Sequence, residues 1–151
     1  MYSNKLDLED IFSKIDYGIA ILKMSPDFPQ YTAGSDIDIL HFHNSHIIED
    51  LNRLLPLTRI DKAPGWVQLD YMVDGKLDLK FDLFTEVISP KFTDDLLLTC
   101  TTAGRNGRIY FVPSDLFDGM LKCYEFLKEP IRKKKHTAFI KYKDQLDEYT
   151  H

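Results

Sequence analysis

The chain has 151 residues, of which 44% are hydrophobic and 28% charged, and its formal net charge is -5. That length can bury one continuous core, so a single domain is expected over 1-151, with a body over about 5-112 and a helical segment over about 114-151. The acidic balance argues against a protein whose affinity comes mainly from coating phosphate backbones, because that requires clustered positive charge.

The first residues, "MYSNKLDLEDIFSK", carry acids where a signal peptide would be basic and then apolar. Leu8, Ile11, Phe12 and Ile15 follow the helical period and predict a first amphipathic helix over 6-15. "YGIAILKM" (17-24) is apolar and β-branched and predicts a strand, and the loop "SPDFPQYTAGS" after it holds two prolines and a glycine that continue neither element. "DIDILHF" predicts a second strand, with Asp36, Asp38 and Leu40 on one face and Ile37, Ile39 and His41 on the other. Ile47, Ile48, Leu51, Leu54 and Leu55 then recur at helical spacing behind Ser45, the expected N-cap.

The Asp74-Gly75 dipeptide between two β-rich runs predicts a hairpin with a two-residue turn. In its second strand Leu77, Leu79, Phe81 and Leu83 make an apolar face, and Asp78, Lys80 and Asp82 face the other way. "SPKFTDDLLLTCTTAG" combines helix and strand features; Thr93 ahead of two aspartates tips the reading to a capped helix. "RIYFVP" predicts a short strand. Pro113-Ser114-Asp115 opens a helix that buries Leu116, Phe117, Met120, Leu121, Tyr124 and Leu127, and Pro130 ends it. The tail "RKKKHTAFIKYKDQLDEY" reads as one more, mostly polar helix. The fold class expected is α+β, a mixed and mainly antiparallel sheet flanked by helices.

Asp36 and Asp38 share a strand face, and Asp82 sits on a strand that could lie alongside. Two like charges about 4 Å apart repel by roughly 4 kcal/mol at an effective dielectric near 20, so converging carboxylates call for a cation. Hard oxygen ligands suit Mg²⁺, with Mn²⁺ an alternative. A D-x-D pair with a third aspartate can bridge two such ions, an arrangement that serves in-line displacement at phosphorus.

Gly34-Ser35 leading into Asp36-Ile37-Asp38, with Asp82 supplied by "LKFDLF" 44 positions after Asp38, resembles the polymerase-beta-like nucleotidyltransferase superfamily, and in particular its small stand-alone members. The resemblance covers roughly residues 5-85, and less of the helical tail. It implies that Asp36 and Asp38 bind both metals and Asp82 the catalytic one, for attack of an acceptor hydroxyl on the α-phosphate of a nucleoside triphosphate. One departure stands out. The family's Gly-Ser turn ends the first strand and a longer spacer follows, whereas here Gly34-Ser35 abuts Asp36 and the first strand ends in Lys23-Met24-Ser25. Either Lys23 or Ser25 joins Gly34 and Ser35 in cradling the phosphates, Lys23 as a point charge, or the site binds no triphosphate and the chain is an inactive binding or regulatory protein of the same fold. The acidity favours a small acceptor, such as a sugar or sugar phosphate, over nucleic acid. Oligomeric state stays open, a homodimer included.

The remaining candidates have plainer readings. Asp78 lies nearer the hairpin and is expected to be solvated, and Lys80 to form a structural ion pair. His41 and His43 lack a third ligand and are expected to be neutral and partly buried. Arg132 to Lys135, with Lys141 and Lys143, reads as a solvated helix face. Trp66 is expected in the core or lining a cleft. Cys100 and Cys123 have no metal-ligand spacing and read as free thiols of a reducing compartment. No apolar run approaches the ~20 residues of a membrane span, so a soluble cytoplasmic chain with no membrane partner is expected. No Walker loop or GxGxxG is present.

Overall fold

A computed structural model describes residues 2–3, 6–15 and 18–150, the side chains of 2–3 excepted. Tyr17, placed at the head of the first predicted strand, lies outside these residues, as does Lys5. In chain order the elements are β1 (Tyr2–Ser3), α1 (Leu8–Ser13), β2 (Ile19–Lys23), β3 (Tyr31–Thr32), β4 (Ser35–His41), α2 (Ile47–Leu54), β5 (Leu57–Ala63), β6 (Trp66–Val73) and β7 (Lys76–Phe84). There follow α3 (Pro90–Thr99), β8 (Thr101–Arg105), β9 (Arg108–Val112), α4 (Asp115–Lys128), a 3₁₀ segment (Lys134–Tyr142) and α5 (Lys143–Asp147).

Five strands form the main sheet in the order β2-β4-β7-β6-β5. The β4–β7 pair is parallel and the other three pairs are antiparallel. The mixed, mainly antiparallel α+β architecture expected from the sequence is the one present. Period-two alternation divides its side chains between two apolar layers. Ile19 and Ile21 of β2, Ile37 and Ile39 of β4, and Leu79, Phe81 and Leu83 of β7 pack with Leu8 and Phe12 of α1, Ile47 and Leu51 of α2, and Tyr110 of β9. Ala20 and Leu40 turn the opposite way, to Phe92, Leu96 and Leu97 of α3, Phe117, Met120 and Cys123 of α4, and Leu146 of α5. Asp36, Asp38 and Asp82 belong to this second face, beyond the end of its apolar patch.

The Asp74-Gly75 turn joins β6 to β7 with φ of 52° and 76°, the left-handed backbone that a tight hairpin turn demands. β5 was not expected. Its Thr58, Arg59, Asp61 and Lys62 are exposed because it is an edge strand, where charge is tolerated and the core-facing signal fades. The ambiguous "SPKFTDDLLLTCTTAG" contains both elements, helix α3 and then strand β8. The α3 cap is Ser89, whose Oγ accepts from the Phe92 N–H at 3.2 Å. Thr93 instead lies inside the helix, buried, and its hydroxyl donates to the Val87 and Ser89 carbonyls. Likewise α2 starts from His46 with no side-chain cap, because the Ser45 hydroxyl is engaged 2.9 Å from His41 Nδ1. Ser114 caps α4 as expected, accepting from Phe117 N–H at 3.4 Å. Leu116 and Leu127 of that helix are exposed rather than buried, since the buried stripe runs through Phe117, Met120 and Cys123. The tail divides into the 3₁₀ segment and α5. No helix among the described residues is long and apolar enough to cross a membrane.

Candidate functional site

Asp36 and Asp38 stand two residues apart on β4, so both side chains leave the same face. The parallel register sets Asp38 opposite Asp82 and Asp36 opposite Lys80. One carboxylate oxygen from each of Asp36, Asp38 and Asp82 lies within 4.8 Å of the others. The three are differently exposed. Asp82 is 4% accessible and accepts a hydrogen bond from Trp66 Nε1 at 3.1 Å, and Lys80 Nζ lies 3.8 Å from its other oxygen. Asp36 is more open, with Lys23 Nζ 3.1 Å from Oδ1. Asp38 is half-buried, and its carboxyl is pushed up to about 6. Burial is the chief cause; the Asp36 charge adds to it, Lys23 opposes it, and Asp82 and Glu125 add further.

Lys23 reaches Asp36 through a break in register. Ile21 pairs with Ile39 but Lys23 with Asp38, which leaves Leu22 as an extra residue in β2. This β-bulge turns Lys23 onto the face of its partner Asp38, beside the carboxylates. Gly34, Ser35 and Ser25 are not drawn into the cluster. Gly34 adopts φ 88°, and its N–H donates to the Asp78 carbonyl at 2.8 Å. The Ser35 side chain alternates with Asp36 onto the opposite face, and its Oγ is sealed from solvent with no hydrogen-bond partner among the described residues. Ser25 Oγ donates to the Gln30 carbonyl at 2.5 Å.

A second bulge corrects the expectation for Asp78. Tyr71 pairs with Leu79 and Met72 with Leu77, so Asp78 is the extra residue and falls out of the alternation. Rather than facing solvent, Asp78 is 5% accessible and accepts from the Tyr31 hydroxyl at 2.5 Å. Leu77 correspondingly drops out of the apolar layer that Leu79, Phe81 and Leu83 share.

Asp36 and Asp38 open into a cleft of about 620 Å³, a size that suits a small organic ligand. Its near side holds Leu22, Lys23, Asp36, Asp38 and Phe84. Its far wall comes from α4 and the chain after it, with Asp118, Lys122, Glu125, Arg132, Lys133, Lys135 and His136. Arg132 to Lys135, read from the sequence as a solvated helix face, thus includes three residues that line this cleft. The periodic pattern carried no sign of it, because the chain folds back after Pro130. Glu125 lies 3.8 Å from Lys133 Nζ and 3.4 Å from His136 Nε2. Burial holds the His136 imidazole below its ordinary value; Glu125 opposes this and the neighbouring lysines reinforce it.

His41 is buried and lowered in pKa by that burial, as a neutral histidine should be, whereas His43 is exposed. Neither belongs to the cleft. Trp66, expected in the core or lining a cleft, is half-buried; its role as donor to Asp82 depends on pairing across the sheet. Cys100 and Cys123 are free thiols.

No family model matches the chain, and no curated protein matches it. Among solved structures it is similar to an antigenic nucleotidyltransferase-like protein from Paracoccidioides brasiliensis, with a TM-score of 0.52 and 15% identity over 94% of this chain and 77% of that one. At that identity the likeness is one of fold. The chain has a nucleotidyltransferase-like α+β fold.

Proposed function

We propose that the chain is a Mg²⁺-dependent nucleotidyltransferase of the polymerase-beta-like type, moving a nucleoside monophosphate from a triphosphate to the hydroxyl or phosphate of a small acceptor such as a sugar phosphate. The observation that carries the reading is the convergence of Asp36, Asp38 and Asp82 within 4.8 Å at the edge of an open cleft. An all-oxygen, all-carboxylate set fits Mg²⁺ or Mn²⁺ and suits softer ions poorly.

In this reading Asp36 and Asp38 would hold both ions and Asp82 the catalytic one. Bound Mg²⁺ supplies a lowered pKa for the nucleophilic hydroxyl and charge compensation for departing pyrophosphate. Trp66 keeps Asp82 from rotating. Phe84 and Leu22 give the cleft an apolar side that limits water around the reacting groups.

The test is calorimetric titration of the four nucleoside triphosphates with Mg²⁺ into wild type and Asp36→Ala/Asp38→Ala, followed by assay of pyrophosphate release with sugar and sugar-phosphate acceptors. Binding lost in the double variant and pyrophosphate released by wild type support the reading. Release of orthophosphate instead would mean a hydrolase.

One observation favours a second reading, an inactive binding protein of the same fold. Lys23 Nζ at 3.1 Å from Asp36 is a built-in cation on a proposed metal ligand. A wild-type chain that binds no divalent ion would make that lysine the permanent occupant.

A further inference from the structure

We propose that the far wall of the cleft, formed by Lys122, Arg132, Lys133, Lys135 and His136, is a polyphosphate-binding site that grips the triphosphate tail of the nucleotide. The inference deepens the nucleotidyltransferase reading and rests on it for the identity of the anion as a triphosphate.

A polyanion entering this cleft meets Asp36 and Asp38 on one side, so cations must hold it from elsewhere. The β2 end and the loop after it offer little. Lys23 is the one cation lining that side among the described residues, the Ser25 hydroxyl is spent on the Gln30 carbonyl, and Ser35 faces the other side of the sheet. The far wall is rich in what the near side lacks. Lys122 comes from α4, where it is half-buried, and Arg132, Lys133, Lys135 and His136 come from the chain that folds back over it.

The fold-back packs closely at Gly119, where a methyl group would overlap the Tyr142 ring and force that ring to move. Lys122 Nζ also lies 5.0 Å from the Phe139 ring centroid. These contacts hold the basic run against the cleft instead of leaving it in solvent.

Its charges are available for exchange. Lys122 pairs with Asp118 at 2.6 Å, Arg132 with Glu129 at 2.8 Å and Lys133 with Glu125 at 3.8 Å, partly exposed pairs of the kind that contribute little and re-form readily. Lys135 makes no ion pair among the described residues. Phosphoryl oxygens offer stronger charge-assisted hydrogen bonds than these single carboxylates. Asp118 and Glu125 also line the wall, so cations exceed acids there without being unopposed, which favours a metal-bound over a bare triphosphate.

The experiment is titration of the full chain, in the presence of Mg²⁺ throughout, with ATP, with inorganic tripolyphosphate and with a sugar monophosphate, comparing wild type, Lys133→Ala/Lys135→Ala and Lys133→Arg/Lys135→Arg. Mn²⁺ binding is followed in parallel by electron paramagnetic resonance. The alanine variant should lose about tenfold or more in affinity for MgATP and tripolyphosphate, the arginine variant should keep it, and Mn²⁺ binding should be the same in all three. Should the alanine variant fail to fold, Lys135→Glu alone provides the comparison. Tripolyphosphate bound equally by wild type and the alanine variant, or not bound by wild type, overturns the proposal, as does a loss confined to the sugar monophosphate. Tripolyphosphate binding that needs the two lysines, in a chain that releases no pyrophosphate, would leave this site standing and remove the nucleotidyltransferase reading. Pyrophosphate release undiminished in the alanine variant would do the reverse.

Discussion

The indole N–H of Trp66 donates to Asp82 Oδ1 at 3.1 Å, tying the chain's single tryptophan to the most buried of the three site carboxylates. The bond crosses from β6 to β7, and the Trp66 ring is braced by Phe84, its stacked neighbour at 5.6 Å between centroids. A divalent ion that draws on Asp82 must therefore alter the indole's surroundings. Mg²⁺ or Mn²⁺ should change intrinsic fluorescence in wild type and not in Asp82→Asn. Trp66→Phe should weaken divalent affinity and lower stability by about 1–3 kcal/mol, the range for losing a hydrogen bond to a charged, buried group. Urea unfolding monitored by circular dichroism measures the second effect.

For the metal-free chain, Asp38 predicts an unusual pH profile. Its native carboxyl is pushed up to about 6 from an ordinary 3.8. Between these values the folded chain keeps a proton that the unfolded chain has released, so stability declines as pH rises through the interval. The Asp38 contribution is fully present below the unfolded value and gone above the folded one. Asp38→Asn should remove that slope and, in EDTA at pH 7 to 8, leave the chain more stable by about 1–2 kcal/mol after discounting for solvent screening. Denaturant midpoints at pH 4, 5, 6 and 7 for both proteins decide the matter; parallel profiles would contradict the burial of this carboxylate.

Lys23 sets up a competition. Its ammonium at 3.1 Å from Asp36 lessens repulsion among the carboxylates and occupies a position a metal would contest. Lys23→Met should therefore tighten Mn²⁺ binding, by about three- to tenfold for one exposed ion pair removed, while costing the metal-free chain little. If Lys23 acts instead as a phosphate contact, the same variant binds MgATP more weakly with Mn²⁺ affinity unimproved. Paramagnetic titration of Mn²⁺ with and without ATP separates the two.

Local pattern was enough for the elements that frame the site. Alternation in "DIDILHF" set Asp36 and Asp38 on one face, Asp74-Gly75 specified the β6–β7 turn, and Ser114 marked the start of α4. In each, the determining forces act over a few residues: backbone sterics, side-chain direction and capping. Local pattern misled where a side chain's partner lies outside its own element. Thr93 and Ser45 resemble caps, yet one hydroxyl is taken by Val87 and the other by His41. Asp78 resembles a solvated strand residue, yet a bulge turns it to Tyr31, 47 positions earlier.

The amino-acid order by itself thus determined which side chains share a strand face and which residues begin and end most elements, because those depend on the period and sterics of neighbouring residues. Tertiary structure alone decided that Asp38 lies opposite Asp82, that a bulge at Leu22 brings Lys23 to Asp36, and that the basic run after Pro130 closes the cleft. These follow from register between distant strands and from the close approach of Tyr142 to Gly119, which depend on how the whole core packs and leave no periodic trace in the chain.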